Sequence, residues 1–317
     1  MKSLWIPVLA MILLAGCKKD DRLDVDVSGI PAEVHVNRFD TLFYGGDPAR
    51  LPELKKNYPY LFPPSTPDSV WIKKMWDTLT ADVTREVRKV FPDKLGVEDS
   101  LEEVFKHIKY YFPQWKEPGI ITLYSDWNYM KRWYLGDTTA FLFLDNYLGK
   151  DNPLYRGIPL YIRQTMSKEY IPVDFARHLA EELVPPPRTK DFLSKMIYHG
   201  KVLYLTKAFI PFVHDSLLLG YSSEKWNWAV QNEKDVWLYF LDNNLLFKTD
   251  KKLDNRFLNP APFSKFYTDI DNQSAGMIGR YTGYRIVQAY IHRTDADLRD
   301  LIRTPERKIF DQSKYKP

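Results

Sequence analysis

The stretch Asn259 to Ile291, NPAPFSKFYTDIDNQSAGMIGRYTGYRIVQAYI, decides how the chain is read, because it departs most from a generic amphipathic helix. Proline punctuation at Pro260 and Pro262 gives way to Met277, Tyr281, Tyr284, Val287 and Ile291 at steps of three and four, the spacing of one apolar helical stripe. Gly279 and Gly283 lie four apart inside it. Each interior glycine costs a helix about 1 kcal/mol relative to alanine, so something must offset that cost. Either another element packs closely on the glycine face, or that face, with Tyr281, Tyr284 and Arg285, receives a ligand or partner. A transmembrane dimer motif does not fit, since Arg280 and Arg285 interrupt a segment too short to span a bilayer.

The run NPAPFSKFY followed by GMIGRYTGYRIVQAY resembles the C-terminal signature of the gliding-motility-associated lipoprotein GldB family of Bacteroidetes. DFLSKMIYHGKVLYL (Asp191 to Leu205) and WAVQNEKDVWLYFLDNNLLFKTD (Trp228 to Asp250) carry the resemblance further back. It covers nearly all of the mature chain and is most specific over residues 190 to 291. The family is in turn distantly similar to zincin-type metallopeptidases, which implies a zincin-like fold and raises the question of whether metal chemistry survives.

Composition sets the outer bounds. With 317 residues, 44 % of them hydrophobic, the chain can bury a sizeable core and disorder is not expected. Aromatics reach 15 %, so buried aromatic surface should be abundant. The net charge is only +4, with basic and acidic residues interleaved, which gives no concentrated basic face for nucleic acid.

The single cysteine is Cys17. Before it stand Lys2, an apolar core LWIPVLAMILL and then small residues, the layout of a secretory signal. Leu14-Ala15-Gly16-Cys17 reads as a bacterial lipobox, with cleavage after Gly16 and acylation of Cys17 by palmitate-type chains; an uncleaved anchor is the other reading. A lipidated Cys17 leaves no thiol for disulfides or zinc. Lys18-Lys19-Asp20-Asp21 resembles the surface-export signal of Bacteroidetes lipoproteins, so an outer-membrane lipoprotein is expected, with the periplasmic face and the cell surface both open. The expected organisation is a signal peptide over 1–16, a lipidated cysteine and tether over 17–31, and a single globular domain over 32–317.

Within the domain, EVHVNRFDTLF (Glu33 to Phe43) predicts a strand, and the six prolines between Asp47 and Pro67 predict an irregular aromatic loop. Trp71, Met75, Leu79, Val83 and Val87 predict one helix over 68–91. Ser100-Leu101-Glu102-Glu103 reads as a capping box opening a helix with Leu101, Val104, Phe105 and Ile108 inward. Ile120 to Tyr124 and Thr139 to Leu144 read as strands, the second interior because it is apolar on both faces. Helices follow: one with Pro172 in its first turn, one capped by Thr189, and a long one capped by Ser223 with Trp226, Val230, Trp237 and Phe240 aligned. The fold class expected is α+β, predominantly helical, with a small sheet.

Zinc hydrolysis needs imidazoles four apart on a helix with a glutamate beside the first, and no H-E-x-x-H occurs. No two of the six histidines lie within eight residues of each other. Laid on the zincin pattern that the resemblance implies, Val173, Asp174 and Arg177 stand where His, Glu and His are needed, and arginine cannot ligate a cation. His178, with Glu181 and Glu182, offers only half of an inverted H-x-x-E-H motif. His199 precedes Gly200, where zincin-like relatives place a glutamate ligand. G-x-S-x-G, P-loop and G-x-G-x-x-G patterns are missing as well. No metal, cofactor or catalytic residue is therefore expected. Two functions remain: an envelope-anchored structural or assembly component of the gliding-motility and type IX secretion machinery, with protein partners, as the resemblance implies; or a zincin-like hydrolase using nonstandard ligands.

Overall fold

Two long helices, Phe192–Phe209 and Ile278–Arg293, cross with almost nothing between their backbones. A Cβ built on Gly283 would stand 1.8 Å from the Met196 carbonyl oxygen, and one on Gly200 would stand 2.2 Å from that of Gly283. Only hydrogen fits at either position. The helix Tyr170–Leu183 packs on Phe192–Phe209 from another side and Glu306–Ser313 closes over the crossing, so three long helices and their shared aromatic core form the frame.

The computed structural model describes residues 21–317. Gly16, Cys17 and the signal peptide lie outside the described residues. Among the described residues no helix is long and apolar enough to cross a membrane. Leu23 and Val27 are buried and Arg22 donates to the Thr294 carbonyl, so part of the segment read as tether belongs to the packed domain.

The sheet has four strands: β1 (Val36–Asn37), β2 (Gly119–Leu123), β3 (Trp133–Leu135) and β4 (Thr139–Phe143), in the order β1-β2-β4-β3. β1 and β4 run parallel to β2, whereas β3 is antiparallel to β4. The apolar runs GIITL and TAFLF take the two central places, where both faces are covered. The architecture is thus α+β and predominantly helical, as the sequence implies.

Local departures have local causes. The expected strand over 33–43 is only two residues long, because Phe39 and Phe43 sit one helical turn apart, stack at 5.4 Å and bury as the helix Phe39–Phe43. The expected loop over 47–67 contains the helix Leu51–Asn57, which tolerates Pro52 in its first turn and buries Leu51 and Leu54. The helix expected over 68–91 is two, Asp68–Met75 and Thr78–Val90, because the Asp77 carboxylate caps the second through the amides of Leu79 and Thr80. Leu79 is exposed as a result.

The capping box at Ser100 does not form. The helix Glu98–Tyr111 starts earlier, and the Glu98 carboxylate accepts from the amides of Leu95, Gly96 and Val97. Asp191 rather than Thr189 caps Phe192–Phe209. Ser222 rather than Ser223 caps Ser223–Gln231, and a break at Asn232 opens a second helix, Glu233–Asp242, leaving Val230 exposed.

Candidate functional site

The signature loop explains how the last long helix begins. Ser264 Oγ accepts from the Ile278 amide at 3.2 Å and donates to the Ala275 carbonyl at 2.7 Å, so a residue fourteen positions upstream supplies the cap that Met277 lacks. Ser274 Oγ in turn accepts from the Ser264 amide at 2.9 Å. Gly276 lets the loop lie close, since a Cβ there would stand 2.0 Å from the Ala261 carbonyl oxygen. Met277 takes the left-handed conformation at φ 53°, unusual for a side chain of its size. The loop and helix start together place Pro260, Met277 and Arg280 on the wall of a cavity of about 390 Å³.

More of the lining comes from Tyr170–Leu183. Asp174, Arg177, His178 and Glu181 recur at three, four and seven residues, which puts them on one helical face, and all four line the cavity. His199 of the neighbouring helix and Arg132, just before β3, complete its polar rim. The structure therefore brings His178, Glu181 and His199 to one cavity. Glu182 is exposed and is not part of the lining, and Val173 is wholly buried in the core.

Asp174 is the buried anchor of this wall. Its carboxylate accepts from Arg132 Nη1 at 2.8 Å and Tyr147 OH at 3.1 Å, with Arg177 Nη1 at 3.4 Å. Arg132 also donates to the Thr165 carbonyl and hydroxyl at 2.9 and 2.7 Å. That pair is satisfied; the other two guanidiniums are not. Arg177 Nη2 reaches the Leu218 carbonyl at 3.2 Å, but its buried Nε has no hydrogen-bond partner among the described residues. Arg280 Nε donates to the Leu258 carbonyl at 2.6 Å, and among the described residues no carboxylate oxygen lies within ion-pair distance of it. Burial, and then the charge of Arg177, push the Arg280 pKa down to about 10. His199 is pushed down to about 3 by burial and by Arg280, so its imidazole is neutral at physiological pH.

Zinc does not fit this donor set. Among the described residues no three His, Cys, Asp or Glu side chains come together to hold an ion, Asp174 is already engaged by two guanidiniums, and Arg177 and Arg280 would repel a divalent cation. Sequence reasoning noticed Arg280 only as a charge interrupting an apolar stripe, and passed over Arg132. A lone arginine in the first turn of an otherwise apolar helical stripe was the available signal.

The residues proposed as a packing or docking face lie inside. Gly279 faces Leu258 Cδ2 and the Phe257 carbonyl oxygen, at 2.9 and 3.0 Å from a built Cβ, and Gly283 faces Met196 as described. Tyr281 OH, Arg285 Nε and Tyr315 OH all reach the Glu233 carboxylate, at 2.9, 2.9 and 2.8 Å. Tyr284 is buried and donates to Asp215 at 3.0 Å. The glycine face is filled by the protein's own backbone and by the Leu258 and Phe192 side chains, and of these residues only Arg285 is partly exposed.

A family model described as gliding motility protein GldB matches residues 20–317. The chain belongs to the GldB family. Membership implies involvement in gliding motility, and the match spans the signature loop, the helix crossing and every residue of the arginine-lined cavity. No curated protein and no solved structure matches the chain.

Proposed function

We propose that this GldB-family chain is a non-catalytic structural or assembly component of the gliding-motility and type IX secretion machinery, anchored to the outer membrane by lipidated Cys17. The observation that supports this reading most is the cavity itself. Where a hydrolase would gather metal ligands around a water, this chain sets Arg177 and Arg280 with donor groups to spare and ties its best carboxylate, Asp174, to Arg132. Two helices meet backbone to backbone, and a buried Lys201–Glu306 ion pair at 3.0 Å ties the helix Glu306–Ser313 to the crossing. Close packing of this kind suits a part that holds others in register.

Crosslinking in intact cells, followed by capture of the lipidated chain and mass spectrometry, tests the proposal. It expects crosslinks to envelope components whose loss also stops gliding, and gliding that survives His178→Ala and His199→Ala. Loss of gliding on those two substitutions in a stably folded chain, together with peptide hydrolysis by the wild type, would replace the assembly role with an enzymatic one.

A further inference from the structure

The cavity has a charge that the protein does not neutralise. Three guanidiniums line it, from Arg132, Arg177 and Arg280, against two carboxylates, from Asp174 and Glu181. Asp174 is shared between Arg132 at 2.8 Å and Arg177 at 3.4 Å, while Glu181 is an exposed residue that, among the described residues, lies outside ion-pair distance of Arg177 and Arg280. Among the described residues Arg177 keeps a buried Nε with no partner, which costs free energy unless another group reaches it. Arg280 lines the same cavity, close enough to feel the charge of Arg177, with its terminal nitrogens unpartnered among the described residues. Planar guanidiniums with unused donors match a carboxylate, which accepts in a bidentate fork. The lining also carries the apolar side chains of Trp133, Val202, Leu203, Leu218 and Met277.

We propose that this cavity binds a carboxylate carried on an apolar body, with Arg280 and Arg177 holding the carboxylate and the Trp133, Val202, Leu203, Leu218 and Met277 wall covering the body. A volume of about 390 Å³ is at the small end of ligand pockets and holds roughly a dozen water-sized groups. One excess positive charge selects a monoanion. A phosphate dianion would overshoot it and press against Asp174, so phosphate is the wrong oxyanion. The same chemistry is available from a free carboxylic acid and from the C-terminal carboxylate of a peptide. The site is additional to the assembly role, because a scaffold and an enzyme could each hold such a ligand.

The test uses the full lipidated chain in a neutral maltoside detergent, titrated by calorimetry against a detergent-only blank. The probes are 3-phenylpropionate, its neutral amide, a short peptide ending in phenylalanine with a free or amidated terminus, and inorganic phosphate. The expected result is saturable binding of the acid and binding of the amide at least tenfold weaker. Arg280→Gln and Arg177→Gln should each weaken the acid at least tenfold while leaving the amide unchanged. Acid binding without peptide binding assigns a small-molecule ligand; preference for the free over the amidated peptide assigns a chain terminus; both support the site. Equal affinity for acid and amide, no binding of the acid, or tighter binding of phosphate would overturn it. Should either variant fail to fold, the acid-to-amide ratio on the wild-type chain still decides.

Discussion

Gly283→Ala is the smallest perturbation that tests the helix crossing. The added methyl would stand 1.8 Å from the Met196 carbonyl oxygen and 2.4 Å from its carbon, and both are backbone atoms that no rotamer change can move aside. Restoring an ordinary contact requires the helices to part by roughly 1 Å in a close-packed interior that resists such a shift. Overpacking typically costs about 1–3 kcal/mol, and backbone on both sides places this site at the upper end. Replacing an interior helical glycine with alanine returns about 1 kcal/mol of propensity, so the net expected loss is about 2 kcal/mol. For a chain of this size that lowers the melting temperature by roughly 3 °C. Thermal unfolding of the purified protein followed by circular dichroism measures it. Gly200→Ala, on the partner helix, should lose a similar amount. A Gly283→Ala protein that melts at or above wild type would refute the crossing, because a glycine without a neighbour can only gain from the change.

Cys17→Ala should leave a chain that no longer incorporates labelled palmitate; undiminished labelling would remove the lipid anchor from the account. Lys201→Met strands the buried Glu306 carboxylate and should cost about 3–5 kcal/mol in urea unfolding, whereas the double change with Glu306→Leu should recover much of the loss. Burial raises the Asp145 pKa to about 6, against the hydrogen bonds it accepts from Ser125. A folded-state value above the unfolded one means the native chain binds the extra proton between about pH 4 and 6, so stability from this group is present below that window and is lost as pH rises through it, by about 2–3 kcal/mol. Asp145→Asn should flatten that part of the stability profile, and an unchanged slope would show that another group is responsible.

What could be read from the sequence follows from where its signals are local. β2 and β4 were legible because GIITL and TAFLF are continuous apolar runs, and the stripe Leu101, Val104, Phe105 and Ile108 is buried as its spacing requires. Cap chemistry was harder. Asp191 and Ser222 each cap in place of a nearby residue that also carries a hydroxyl or carboxylate oxygen, Glu98 opens its helix ahead of Ser100, and the breaks at Trp76 and Asn232 carry no proline or glycine to announce them. The glycine pair at 279 and 283 signalled a close approach but not its partner, since Gly200 lies on another helix and nothing in one helix encodes its neighbour. The same holds for the cavity. Asp174, Arg177, His178 and Glu181 were each weighed as fragments of metal motifs rather than as one face, and Arg132 and Arg280 join them from distant segments through tertiary packing alone.

The central proposal is that the chain serves assembly and that its cavity is not a zinc site, and metal content together with peptidase activity tests it most directly. Elemental analysis of the purified lipoprotein, with a broad peptide-substrate screen on the same sample, should find zinc far below one equivalent and no hydrolysis. One equivalent of zinc that disappears with His178→Ala or His199→Ala would contradict the account.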